Sequence, residues 1–290
     1  MTRLVHTADG EVLAYRIHGA PGNTPIVTVH GLVSSIEHWQ FFTPHYAKQR
    51  PVLSWEYRGH GGRSMFGDAE RVNVAQFADD AHTVMRAAEL PSAIVTGLSF
   101  GVQVALELWR AHRESVRALV LICGTAGHPL DRVSSSPMLR RFAADLVRGL
   151  ASRRVIAEPV LSFLRSKTGT KLAREIAYLA GGAHRDACPS DVLERLFGHA
   201  GGLSPAVLGG ITASYLEHSA WDVLPTIDVP TLIIAGDKDQ LTPVDTAERM
   251  RAAIPNAELV VFPGHTHLVQ VEKPLEVHAA IDDFLARNRF

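Results

Sequence analysis

The segment Gly97-Leu-Ser-Phe-Gly101 follows a short apolar run, Ala93 to Thr96, and precedes a helical pattern. A serine on a sharp strand-to-helix turn lifts its hydroxyl clear of the sheet. Glycines two residues to either side fit that turn, because a Cβ there would collide where strand and helix approach closely. The turn also sets Ser99 at a helix N-terminus, whose partial positive charge favours developing negative charge. A hydroxyl is a poor nucleophile without a base to take its proton and a carboxylate to orient that base. Read alone, the five residues are a weak signal, since glycine is common and an ordinary turn can carry the same pattern; the strand-turn-helix context strengthens it, and the base and the acid must be sought elsewhere.

Both have candidates downstream. The run Leu232 to Ala235 leads into Gly236-Asp-Lys-Asp-Gln-Leu-Thr-Pro243, and Leu259 to Phe262 leads into Pro263-Gly-His-Thr-His-Leu268. Each lies in a loop after a strand, in the chain order Ser, Asp, His. The residues by themselves leave Asp237 or Asp239 as the acid and His265 or His267 as the base. The His-x-His pair also raises a metal site, but no further ligand has helpful spacing, so no metal is expected.

These loops need a scaffold. Short runs rich in Val and Ile alternate with longer helical patterns, the signature of a parallel sheet flanked by helices. The strand candidates are 25–30, 52–55, 93–96, 118–123, 231–235 and 257–262, apolar on both faces as central strands are. A hairpin is expected from 4–6 and 12–18 around Asp9-Gly10. Helices are expected over 74–90, 100–112, 245–254 and from Pro274 to about Arg287. Between about Thr125 and Pro225 the strand rhythm stops, and apolar residues such as Met138, Leu139, Phe142, Leu146, Val147 and Leu150 recur at helical spacing.

In this order the segments resemble the α/β-hydrolase fold family, over nearly all of the chain outside 126–225. His30-Gly-Leu32 resembles its oxyanion loop. Glu56-Tyr-Arg-Gly-His-Gly-Gly-Arg-Ser64 resembles its Asp-x-Arg-Gly-x-Gly-x-Ser segment, with Glu in place of Asp and one glycine inserted. Ile227 to Asp239 resembles the strand that delivers the acid. The resemblance implies an α/β fold: a mostly parallel eight-stranded sheet flanked by helices, with 1–125 and 226–290 as core and 126–225 as an inserted helical cap. It points to Asp239, three residues after Gly236 with Pro243 four further on. It points to His267, five residues before the Glu of Glu272-Lys-Pro274.

The implied mechanism is nucleophilic. His267 takes the Ser99 proton as the hydroxyl attacks a carbonyl, Asp239 holds the imidazole, and the backbone N–H groups of Leu32 and Phe100 meet the oxyanion. Water then releases the acyl group without a cofactor. His30, Gly31, His38 and Trp39 are candidate pocket residues, although Trp39, Phe41 and Phe42 equally suit a core. Arg58 and His60 are expected to hold their loop beside the site, and Cys123 to be a small buried hydrophobe. The expected activity is cleavage of an ester- or lactone-like bond in a small to medium, partly apolar substrate. Carbon–carbon hydrolysis of β-diketone-like compounds and cofactor-free perhydrolysis use the same residues. A ligand-binding receptor with slow turnover is the reading of another class.

Composition bounds the partners. The 290 residues carry a formal net charge of -1, which argues against a nucleic-acid partner and leaves a small molecule. Two cysteines form no disulfide framework. No signal-peptide stretch opens the chain and no apolar run is long enough to span a membrane, so a cytoplasmic protein is expected. Residues 137–178 hold nine Arg or Lys against three Asp or Glu. That excess fits a solvated helical surface or attraction to an anionic substrate or membrane surface. Oligomeric state is not legible.

Overall fold

The computed structural model describes residues 1–60, 72–129 and 137–290, so Gly61 to Ser64 of the Glu56 segment lie outside the described residues. Eight strands form one sheet: β1 (Arg3–His6), β2 (Val12–His18), β3 (Ile26–Val29), β4 (Val52–Trp55), β5 (Ala93–Leu98), β6 (Val116–Ile122), β7 (Thr231–Gly236) and β8 (Ala257–Phe262). Their order is β1-β2-β4-β3-β5-β6-β7-β8, and only β2 runs against its neighbours. Successive residues face opposite sides of the sheet. Val27, Val95 and Leu119 therefore join one core cluster, while Ile26, Ile94 and Val120 join another.

Helices cover both faces: α1 (Phe42–Tyr46), α2 (Val74–Ala87) and α3 (Phe100–His112) in the first half. Helix α2 stops short of the expected Leu90 because Glu89 turns into the left-handed region at φ 59° ahead of Pro91. Between β6 and β7 come α4 (Pro137–Ser152), α5 (Arg154–Arg165), α6 (Lys167–Leu179), α7 (Ser190–Gly202) and α8 (Pro205–Glu217). The chain closes with α9 (Val244–Ala253), α10 (Val269–Glu272) and α11 (Pro274–Arg287). Among the described residues, no helix is long and apolar enough to cross a membrane.

The strand order sets where the loops meet. Val29 pairs with Gly97 in the parallel ladder, so the segments after β3 and β5 leave the sheet side by side. The loops after β7 and β8 emerge at the same edge, with Gly236 opposite Phe262. Open parallel sheets present ligand sites at such carboxyl ends.

The loop after β3 is braced from the Glu56 segment. Tyr57 Oη donates to the His30 carbonyl at 2.7 Å, and the Glu56 carboxylate accepts from Ile36 N–H at 3.4 Å. His60 Nε2 lies 3.2 Å from the Leu32 carbonyl oxygen. Arg58, fully buried, grips Asp80 with two nitrogens and reaches Asp9 with a third contact, anchoring that segment to α2 and to the hairpin turn. A buried arginine needs such partners, because an uncompensated charge there is costly.

His60 of this buttress and His38 of the loop it braces stay neutral in the fold. Burial, aided by nearby His199, pushes both His60 and His38 down to about 4. Unfolding frees both rings to take up protons near pH 6.5, which the folded protein refuses until about pH 4. Stability therefore falls as the pH drops through that window. Urea unfolding of His60→Gln should show a pH dependence shallower by about 1.4 kcal/mol per unit between pH 6.5 and 4. Identical slopes for the two proteins would contradict the buried neutral ring.

Candidate active site

Ser99 sits between β5 and α3 at φ 54°, ψ -116°. A side chain other than glycine adopts a positive φ only where its surroundings enforce it. The enforcing contacts are at the two glycines: a Cβ on Gly97 would lie 2.5 Å from the Gly101 carbonyl oxygen, and one on Gly101 would strike the Val29 carbonyl. Strand β3, strand β5 and helix α3 are thus pressed together directly beneath the serine.

Ser99 Oγ lies 2.9 Å from His267 Nε2, and His267 Nδ1 lies 2.8 Å from Asp239 Oδ2. Asp239 is 3% exposed, yet it is well supplied with donors. Its Oδ1 accepts from the N–H groups of Leu241 at 2.8 Å and Thr242 at 2.9 Å, and Thr242 Oγ1 donates to Oδ2 at 2.7 Å. Burial works against its charge. The His267 ring and the hydrogen bonds from His267 and Thr242 outweigh it and hold the carboxyl below its ordinary value. A carboxylate held ionised beside Nδ1 makes that nitrogen the donor and leaves Nε2 to accept from the hydroxyl. Such a line can move a proton from serine to imidazole.

The alternative acid and base go elsewhere. Asp237 accepts from Gly264 N–H at 2.6 Å and ties the two loops together. His265 Nδ1 lies 3.2 Å from Glu272 Oε2, so the two rings of the His-x-His pair point to different partners. The buried Glu272 carboxylate also accepts from Thr266 N–H at 2.9 Å, from Thr266 Oγ1 and from His184 N–H at 2.8 Å. It thereby fixes the histidine loop to the segment between α6 and α7.

Ser99 and His267 open on a cavity of about 510 Å³. Leu98 and Val271 form part of its wall, and α7 contributes Val192, Leu193, Leu196 and Phe197. Gly31 and Leu32 line it beside the serine, and a Cβ on Gly31 would rest 3.6 Å from Ser99 Cβ. Phe100 begins α3 immediately after the serine, so its N–H belongs to the unpaired first turn.

Of the four expected pocket residues, Gly31 and His38 are on the wall. For His30 and Trp39 the expectation is corrected. His30 is fully buried with its ring 3.9 Å from that of Tyr57, and Trp39 is 1% exposed in the core cluster of Ile26, Phe42 and Val52. Phe42 is core as well, and Cys123 is a buried thiol whose pKa burial pushes up.

Two further residues belong to the site. Thr242 is signalled by its place three residues after Asp239, the reach of a side-chain turn. Tyr215, on α8, lines the cavity and rests edge-on to Phe100, with ring centroids 5.5 Å apart. Burial, then the Asp239 charge, raises its phenol well above the usual value, so it stands as a neutral hydroxyl.

Among the described residues, one group has metal-ligating atoms close enough to share an ion, His82, His112 and Glu114. Its His112 ends α3, about 20 Å from Ser99 by helix rise. The two rings stack at 4.0 Å and 4°, so their lone pairs run in parallel planes and do not converge.

Residues 24–274 match the family model of the alpha/beta hydrolase fold. The chain is 29% identical to 2-hydroxymuconate semialdehyde hydrolase of Pseudomonas sp. (strain CF600), covering 93% of this chain and 89% of the relative. It is 28% identical to pimeloyl-[acyl-carrier protein] methyl ester esterase of Aromatoleum aromaticum, covering 89% and 96%. The enol-lactonase structure from Burkholderia xenovorans LB400 superposes with a TM-score of 0.76 at 20% identity, covering 98% and 100% of the two chains. The eight-stranded sheet and the family match together place the chain in the α/β-hydrolase fold family, as a hydrolase.

Proposed function

We propose that the protein is a serine hydrolase that cleaves an ester- or lactone-like bond of a small to medium, partly apolar substrate. The observation that carries this is the unbroken line from Ser99 through His267 to the buried Asp239, opening on an apolar-walled cavity of about 510 Å³. That volume is in the range that encloses a small-molecule ligand.

As Ser99 Oγ attacks the substrate carbonyl, its proton passes to His267 Nε2. Asp239 steadies the resulting imidazolium through Nδ1–H. The oxyanion is received by the N–H groups of Leu32 and Phe100, held in place by the His60 contact and by the start of α3. His267 then gives its proton to the leaving alcohol. A water activated by the same nitrogen attacks the acyl-enzyme, restores the serine and releases the acid. No cofactor enters.

Residues 126–225 act as a cap in this reading, with α7 closing the cavity over Ser99 and selecting the acyl group. The esterase and the enol-lactonase among similar proteins support ester chemistry. The 2-hydroxymuconate semialdehyde hydrolase supports a second reading, hydrolysis of a carbon–carbon bond by the same residues.

Progress curves on a panel of p-nitrophenyl esters of increasing acyl length test the assignment. Ser99→Ala should lose at least ~1,000-fold in kcat, and Phe197→Ala should move the preference toward longer chains. Equal turnover by wild type and Ser99→Ala would refute Ser99 as nucleophile. An unchanged chain-length profile for Phe197→Ala would refute selection by α7.

A further inference from the structure

Helices α4, α5 and α6 turn much of their apolar surface outward. Twelve of the seventeen exposed large apolar side chains among the described residues lie between Met138 and Leu179, so they are concentrated on these three helices and are not ordinary scatter. On α4, Leu139, Phe142 and Leu146 follow one another at helical spacing and are 45%, 63% and 51% exposed. On α5, Leu161 is buried while Val155, Val160 and Phe163 face out. On α6, Ile176 and Leu179 are exposed beside Ala177, which lines the cavity. Helix α6 thus carries exposed apolar residues on one side and contributes to the cavity wall from another.

The same helices carry the chain's cationic stretch, nine Arg or Lys against three Asp or Glu over 137–178. Arg141, Arg153, Lys167 and Lys171 are exposed there. Charge distinguishes the possible occupants of such a face. A second copy related by a two-fold axis would set this cationic surface against itself. An anionic lipid surface neutralises the cations and at the same time receives the apolar side chains.

We propose that helices α4, α5 and α6 dock the protein on an anionic phospholipid bilayer, lying in the plane of the interface and holding the cavity beside the membrane. Docking is independent of the chemistry at Ser99.

Cosedimentation with vesicles tests it, using equal parts phosphatidylglycerol and phosphatidylcholine against phosphatidylcholine alone. The protein should sediment with the mixed vesicles at low salt, stay in solution with the neutral ones, and be released at high salt. Lys167→Glu/Lys171→Glu and Val155→Asp/Val160→Asp should each weaken partition at least ~tenfold. Urea unfolding midpoints confirm that both variants are folded, without reference to turnover. Failure of wild type to sediment with mixed vesicles at low salt overturns the proposal, as does undiminished binding by both folded variants. A stable dimer in sedimentation equilibrium that Val155→Asp/Val160→Asp dissociates would show a second copy covering this face, and would overturn it too.

Discussion

The backbone at Ser99 is held at φ 54° by the close approach of three chain segments, and the site is built around that constraint. Strand β3 comes so near to α3 that Gly101 has no room for a Cβ beside the Val29 carbonyl, and β5 meets the same helix at Gly97. The serine cannot relax to an ordinary conformation without separating elements whose residues are in the core. Its hydroxyl is therefore presented above the sheet, and the first turn of α3 points unpaired N–H groups the same way. The left-handed turn and the helix start are two consequences of one packing constraint.

The partners of the serine depend on strand order as much as on identity. Asp239 follows β7 and His267 follows β8, and the two strands are neighbours with Gly236 opposite Phe262. The short loops after them bring a carboxylate and an imidazole within 2.8 Å although they are 28 residues apart. Asp239 keeps its charge in a buried place because Leu241, Thr242 and His267 all address it, as a buried carboxylate requires. Glu272 repeats the device on the other side of His267, accepting from Thr266, His265 and His184.

How much of this is legible in the chain varies with the range of the interaction. Strand rhythm, the glycine-bracketed serine and the loops after β7 and β8 are local patterns, and they mark the sheet and the edge where the site lies. Between Asp237 and Asp239 the residues alone do not choose; the resemblance to the α/β-hydrolase family favours the second, and the structure places that residue beside His267 while Asp237 binds the Gly264 backbone. His30 and Trp39 show the limit. Their nearness in sequence to the loop after β3 suggests a pocket, but side-chain direction is set by packing against Tyr57 and Phe42, which no local pattern reveals. The helical periodicity of 137–179 is equally plain, whereas the outward direction of its apolar residues is a fact of tertiary structure.

Covalent labelling addresses the central claim most directly. Wild type and His267→Ala would be treated at neutral pH with a fluorophosphonate ester, and the adduct located by peptide mass mapping. A serine activated by this histidine should take one phosphonyl group per chain, on Ser99, at a rate that drops by at least ~1,000-fold in the variant. Labelling at another residue, or equal rates for the two proteins, would contradict an activated Ser99.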